Sequence, residues 1–253
     1  MFAKPKTPKT VAHLAIAAAI IISAGCAVPK NYSNGQPRYS GSFDNKHRKN
    51  GSWKFFYFDG TRRCVGSYKG GKRDGAWTWF YPNGKLRRVL SFESHLPIGQ
   101  YVEYNDKGTL IAKGTFIRGK KSGTWELYDA TGRLMATLAY LDGKLSGKSV
   151  FTTRMSGDET WKSYEQFSKG KREKAKVVTP EGKTLKFVIK QNKTVFPWKN
   201  GSKTELADKF LVLRKADMDK ITALLDKEDK LIRDAERRFS PHYDFPRDPR
   251  PKR

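Results

Sequence analysis

The sequence predicts a mainly β fold, an elongated antiparallel sheet of stacked hairpins with a C-terminal amphipathic helix, and three observations carry that expectation. Gly51, Gly75, Gly99, Gly123 and Gly147 recur every 24 residues, and Gly60, Gly84, Gly108 and Gly132 keep the same interval. Between the two series lie short, nearly alternating aromatic runs such as Trp-Thr-Trp-Phe-Tyr at 77–81, which is a strand signature. Near the C-terminus, Met218, Ile221, Leu225, Glu228, Ile232, Ala235 and Phe239 recur at intervals of three and four, the spacing of one helix face. A fixed period of this length marks a stacked array of one supersecondary unit.

Each unit reads as one hairpin. Asp59-Gly60 and Pro82-Asn83-Gly84 supply turns in which glycine takes the positive φ that tight loops need. The chain returns through Leu86, Leu110 or Leu134 to an aromatic column, Tyr68, Phe92, Phe116 and Tyr140, and closes at Gly119-Lys120 or Gly143-Lys144. Two further rows align: Trp53, Trp77, Tyr101 and Trp125, and Phe56, Phe80, Tyr104 and Tyr128. They lie three positions apart, which puts them on opposite faces unless a bulge intervenes.

The stretch Gly66-Ser-Tyr-Lys-Gly-Gly-Lys-Arg-Asp-Gly-Ala-Trp-Thr-Trp-Phe-Tyr-Pro-Asn-Gly-Lys-Leu resembles a MORN repeat, in the variant form common in bacterial proteins. The resemblance spans residues 39–185 and is strongest in the units that begin at Tyr68, Phe92 and Phe116. The copy at Phe43 carries one extra residue before Gly51, and the pattern decays after Gly147. A blurred copy resumes at Phe167-Ser-Lys-Gly-Lys and ends at Pro180-Glu-Gly-Lys183. The resemblance implies scaffolding or membrane association. Many bacterial variant-repeat proteins are labelled antitoxins, which implies an alternative function, neutralisation of a toxin by direct binding.

Residues 1–10 carry Lys4, Lys6 and Lys9 without an acid, and 11–28 are apolar apart from His13 and Ser23. This is a charged n-region followed by an h-region, so residues 1–26 are set aside as a signal peptide or lipoprotein leader. Ser23-Ala-Gly-Cys26 resembles a bacterial lipobox, which makes Cys26 the expected lipidation site, although Ser23 stands where that family usually has Leu. The alternative is an uncleaved anchor, since about 18 apolar residues can just span a bilayer. With Ala27 after the cysteine, resemblance to such lipoproteins implies an outer-membrane protein facing the periplasm. Residues 27–40 read as a polar, turn-rich linker, and 41–185 as the array.

The only other cysteine, Cys64, shares a column with Arg88, Ala112 and Ala136 that reads as a tolerant position, and a disulfide framework is excluded. Residues 151–161 break the period and read as an inserted loop. Residues 185–190 and 194–198 read as strands that finish the sheet, the second limited to an edge by Pro197. Ser202-Lys-Thr-Glu205 has capping-box spacing, and Phe210-Leu-Val-Leu213 is readable as helix or strand. Residues 186–239 thus comprise strands and a helix that caps the open sheet, with a helix-mediated dimer as the alternative. Residues 240–253, where Pro and Arg interleave, are expected to be a disordered basic tail.

Fifty-one Lys and Arg against 25 Asp and Glu give a formal net charge of +26, a balance that attracts polyanions. The basic turn residues Lys72, Arg73, Lys120 and Lys121 are the expected anion-binding positions. His13, His47, His95 and His242 are scattered, and no nucleophile elbow, Walker loop or zinc-binding helix motif occurs, so no catalytic residue, metal or cofactor is expected. The expected partner is a protein or an anionic lipid or polysaccharide surface of the envelope. Nucleic acid would be the natural polyanion only in a cytoplasmic setting and is not expected behind an export leader.

Overall fold

The computed structural model describes residues 30–155, 159–186, 188–190, 193–195, 210 and 213–225. Cys26, the leader, residues 196–198 of the second expected strand, the expected capping box at 202–205, the helix stripe beyond Leu225 and the basic tail lie outside the described residues. The strands are β1 (Tyr39–Phe43), β2 (Lys49–Phe56), β3 (Arg62–Lys69), β4 (Lys72–Phe80), β5 (Leu86–Glu93), β6 (Leu96–Tyr104), β7 (Leu110–Ile117), β8 (Lys120–Tyr128) and β9 (Leu134–Leu141). They continue with β10 (Lys144–Leu145), β11 (Gly147–Arg154), β12 (Thr160–Ser168), β13 (Lys171–Val178) and β14 (Thr184–Lys186). These fourteen form one open sheet that follows chain order, with β10 paired to β9 beside the main path. Every pairing is antiparallel, as stacked hairpins require. The helix α1 covers 213–225, and Phe210 is helical rather than part of a strand.

Two turns alternate. At one end of each unit, Gly70-Gly71, Ser94-His95, Arg118-Gly119, Asp142-Gly143 and Lys169-Gly170 all have positive φ, the geometry of a two-residue type I′ hairpin. At the other end, Tyr57 and Gly60, Tyr81 and Gly84, Asn105 and Gly108, or Asp129 and Gly132 close a longer loop by a backbone N–H to C=O bond. Those loops also tie one unit to the next: the hydroxyls of Tyr57 and Tyr81 donate to the carbonyls of Phe80 and Tyr104, each at 2.8 Å. Tyr32 does the same to Phe56 at 2.8 Å and is 4% exposed. From Lys30 onward the expected linker is therefore a truncated first unit docked on the sheet.

Register decides the faces. A shift of pairing recurs where each glycine of the first series enters its strand, between Val65/Ser67, Leu90/Ser91 and Lys113/Thr115 of the neighbouring strand. On the face carrying the tryptophan row, Trp53, Trp77, Tyr101 and Trp125 are at most 1% exposed, with Tyr68, Phe92 and Phe116 packed edge-on against them. Phe56, Phe80, Tyr104 and Tyr128 are half-buried. A pairing shift falls just before each member of this second row, between Phe55/Phe56, Trp79/Phe80, Glu103/Tyr104 and Leu127/Tyr128, so an irregularity does intervene between the two rows.

A second device fixes the stack: Trp53, Trp77 and Trp125 lie flat over Gly41, Gly66 and Gly114. A Cβ at these glycines would sit 2.3, 2.1 and 2.2 Å from ring atoms. Each indole N–H then donates to the carbonyl just after its glycine, Ser42, Ser67 or Thr115, at 3.1–3.2 Å.

Three expectations change. Cys64, Arg88, Ala112 and Ala136 are 0–5% exposed; the column is a core position of the aromatic face, because each member pairs with a residue two beyond the buried aromatic row. Within the expected loop, residues 151–154 and 160–161 are strand, since β11 and β12 pair continuously from Gly147↔Phe167 to Arg154↔Thr160. The glycine-to-aromatic spacing, 17 in Gly51↔Tyr68, becomes 20 in Gly147↔Phe167, so the insertion lengthens a hairpin. Finally, only 184–186 finish the sheet, whereas β15 (Val188–Lys190) and β16 (Lys193–Val195) pair as a separate two-stranded sheet. Helix α1 covers the aromatic face at its C-terminal end: Ile221 is 2% exposed in the core with Leu138 and Phe151, and Met218, Leu224 and Leu225 pack against it.

Candidate anion-binding face

The four turn residues expected to bind anions do not form one patch. Lys72 and Lys120 are exposed. Arg73 and Lys121 stand directly across from Tyr68 and Phe116 and so share the aromatic face. The Arg73 guanidinium lies 5.3 Å from the Trp77 ring, and the Lys121 ammonium, 3% exposed, 5.2 Å from Trp125 and 5.6 Å from Tyr140. Lys49 occupies the same place over Trp53 and Tyr68. These cations cap aromatic rings, where the ring quadrupole attracts them, and their charge faces the core.

A different set of cations is brought together on the opposite face of β11–β13. The register aligns Lys148↔Gln166↔Lys174, Val150↔Tyr164↔Lys176 and Thr152↔Lys162↔Val178. Lys148, Arg154, Lys162, Lys174 and Lys176 are all exposed, and Lys176 lies 5.5 Å from the centre of the Tyr164 ring. These aligned positions include no carboxylate: Glu165 of β12 is 4% exposed on the buried face, and the exposed Glu173 of β13 falls at the register shift between Arg172 and Lys174. Adjacent strands stand about 4.8 Å apart, so the ammonium groups can converge on a shared oxyanion.

The same face of the array carries a paired charge. There Lys113 pairs with Glu126 at 2.9 Å, and the Tyr128 hydroxyl also donates to Glu126. The hydrogen bond from Tyr128, then that from Lys113, holds the Glu126 carboxyl below its ordinary range, while the same pair raises Lys113. On the aromatic face Arg88 and Glu103 form a cross-strand ion pair at 2.9 Å, 3% and 1% exposed, to which Tyr101 donates its hydroxyl. Enclosed in the core, that triad is a packing element.

Alternation alone, Lys174 and Lys176 two apart with Lys162 and Lys148 on facing strands, is the signal that could have revealed the basic face. The loss of aromatic periodicity after Gly147 obscured it. Among the described residues, no group of three or more His, Cys, Asp or Glu side chains is placed to hold a metal ion, and no helix is long and apolar enough to cross a membrane.

Hairpins stacked in chain order into one open sheet, each unit stapled to the next, define a β-hairpin repeat protein. Residues 73–94 match the family model described as the MORN repeat variant, so the repeat of this sheet is a MORN-type repeat. No match to the chain is found among curated proteins.

Proposed function

We propose that the protein is a non-enzymatic binding or scaffold protein of the cell envelope, tethered to the outer membrane through lipidated Cys26, whose repeat sheet binds an anionic lipid surface. The observation that carries this reading is the exposed set Lys148, Arg154, Lys162, Lys174 and Lys176 on one face of β11–β13. Each Lys or Arg near an anionic membrane contributes on the order of 1 kcal/mol, so a group of five acts together where one would barely register. The charged leader and the net charge of +26 support the same surface.

Cosedimentation with phosphatidylglycerol vesicles tests the proposal, with phosphatidylcholine vesicles as control. Binding to the acidic vesicles should fall steeply with added salt, because exposed charges are screened over about 10 Å at 0.1 M. Replacing Lys148, Lys162, Lys174 and Lys176 together by Gln should weaken it at least tenfold, and replacing Lys72 and Lys120 should weaken it less. Binding indifferent to salt and to the fourfold replacement would overturn the proposal.

A further inference from the structure

On the buried side of the same strands, a cavity of about 910 Å³ lies between α1 and the sheet. Leu138, Phe151 and Phe167 line it from the sheet, and Met218, Ile221 and Leu225 from the helix. At one wall stands a charged group: Glu165 and Arg214, 4% and 6% exposed, form an ion pair, with Arg172 3.4 Å from the other Glu165 oxygen. Ser163 donates to Glu165 at 2.9 Å.

Cations predominate along the cavity wall. Arg172, Arg214, Lys171 and Lys215 line the cavity with the carboxylate of Glu165, while Lys215 also pairs with Asp219 at 2.9 Å outside the lining and Asp217, 8% exposed, stands on the same helix as Arg214. Nη1 of Arg214 is buried and has no hydrogen-bond partner among the described residues, while its guanidinium is held 4.8 Å from the Phe151 ring. Desolvation, with the neighbouring Arg172 charge, holds the pKa of Arg214 below its ordinary value against the opposing pull of Glu165 and Asp217. A buried donor left unsatisfied is costly, and an apolar cavity with a few convergent polar groups is the usual form of a small-molecule site, typically about 300–1,000 Å³.

We propose that this cavity binds one anionic amphiphile, an oxyanion head on an unbranched apolar chain, with the head at the cationic wall that includes Arg214 and the chain between α1 and the sheet. The site is separate from the basic outer face, because it opens on the other side of β11–β13 and needs a chain as well as a charge.

Calorimetric titration of the full chain with dodecanoate and dodecyl phosphate, each below its micelle concentration, tests it. One of the two should bind saturably, one to one, at least tenfold more tightly than dodecanol and than acetate; the tighter of the two identifies the head group. Arg214→Met should remove that preference over dodecanol. Met218→Trp should fill the cavity and abolish binding with an unchanged circular dichroism spectrum, and it decides the matter if Arg214→Met fails to fold. The fourfold Lys→Gln variant of the outer face should bind dodecanoate as the parent does. Equal affinity for dodecanol, non-saturating binding, a folded Met218→Trp that still binds, or loss of binding in the outer-face variant would each overturn the cavity site, whatever the vesicle result.

Discussion

The array from β2 to β9 and the segment formed by β11–β13 with α1 cover the same face of one sheet in two ways. In the array the aromatic face covers itself: tryptophan lies on glycine, an edge-on Phe or Tyr fills the space beside it, and a Lys or Arg closes the stack from the turn side. Beyond Gly147 that arrangement lapses. Ser149, Thr153, Ser163 and Glu165 take buried places on the face, and a helix from outside the repeat covers it. Self-coverage demands one period, since each tryptophan ring needs its glycine on the preceding strand. Coverage by a helix tolerates a hairpin lengthened from 17 to 20 residues, and it leaves room for a cavity and a charge cluster.

The largest effect expected from this contrast lies in the helix-covered region. Glu165→Gln removes the partner of a buried arginine and should cost about 3–5 kcal/mol in urea unfolding, because an uncompensated charge remains inside. Glu165→Leu combined with Arg214→Leu should recover most of that loss, since the desolvation of both charges disappears with them. If the double variant is no better than Glu165→Gln, the cluster is not the electrostatic element that joins α1 to the sheet.

A smaller effect belongs to the array's turns. Asp129 is pushed up by partial burial, but hydrogen bonds from the Thr131 hydroxyl and from Arg133 and Thr131 N–H groups outweigh this and bring its pKa to about 2. A folded-state pKa below the ordinary 3.8 gives stability that is present above pH 4 and lost as the pH falls toward 2. Solvent screening at this surface turn keeps the contribution on the order of 1 kcal/mol. Asp129→Asn should therefore be less stable than the parent at pH 7 by about that amount, and the two should converge near pH 2. A constant difference across that range would show that the carboxylate's charge is not what the turn uses.

Much of the array was legible because the glycine and aromatic columns repeat with the hairpin itself, and a glycine that must take positive φ leaves the same mark in every unit. The placing of half-buried Arg73 and buried Lys121 on the aromatic face was less visible: each follows a glycine turn, where an exposed lysine is the ordinary expectation. Its only sign is that a two-residue turn sets Arg73 opposite Tyr68. Glu165 and Arg214, 49 residues apart, meet only because α1 returns over the sheet, a contact that neither periodicity nor motif encodes. The half-unit at Tyr32 was readable in outline, since Tyr32-Ser-Asn-Gly35 repeats the pattern of Tyr81-Pro-Asn-Gly84, but without its aromatic strand it resembled a tether.

The comparison rests on the claim that tryptophan packed on glycine, more than glycine's turn geometry, holds the array in register. Urea unfolding of Gly114→Ala beside Gly123→Ala tests this most directly. At Gly123 the φ is +68° with nothing within 4 Å of a Cβ, whereas at Gly114 a Cβ would lie 2.2 Å from the Trp125 ring. The expected cost is about 1–2 kcal/mol for Gly123→Ala, from left-handed backbone strain, and about 3 kcal/mol or more for Gly114→Ala, from overpacking of the core. Equal losses, or a larger loss at Gly123, would contradict the claim.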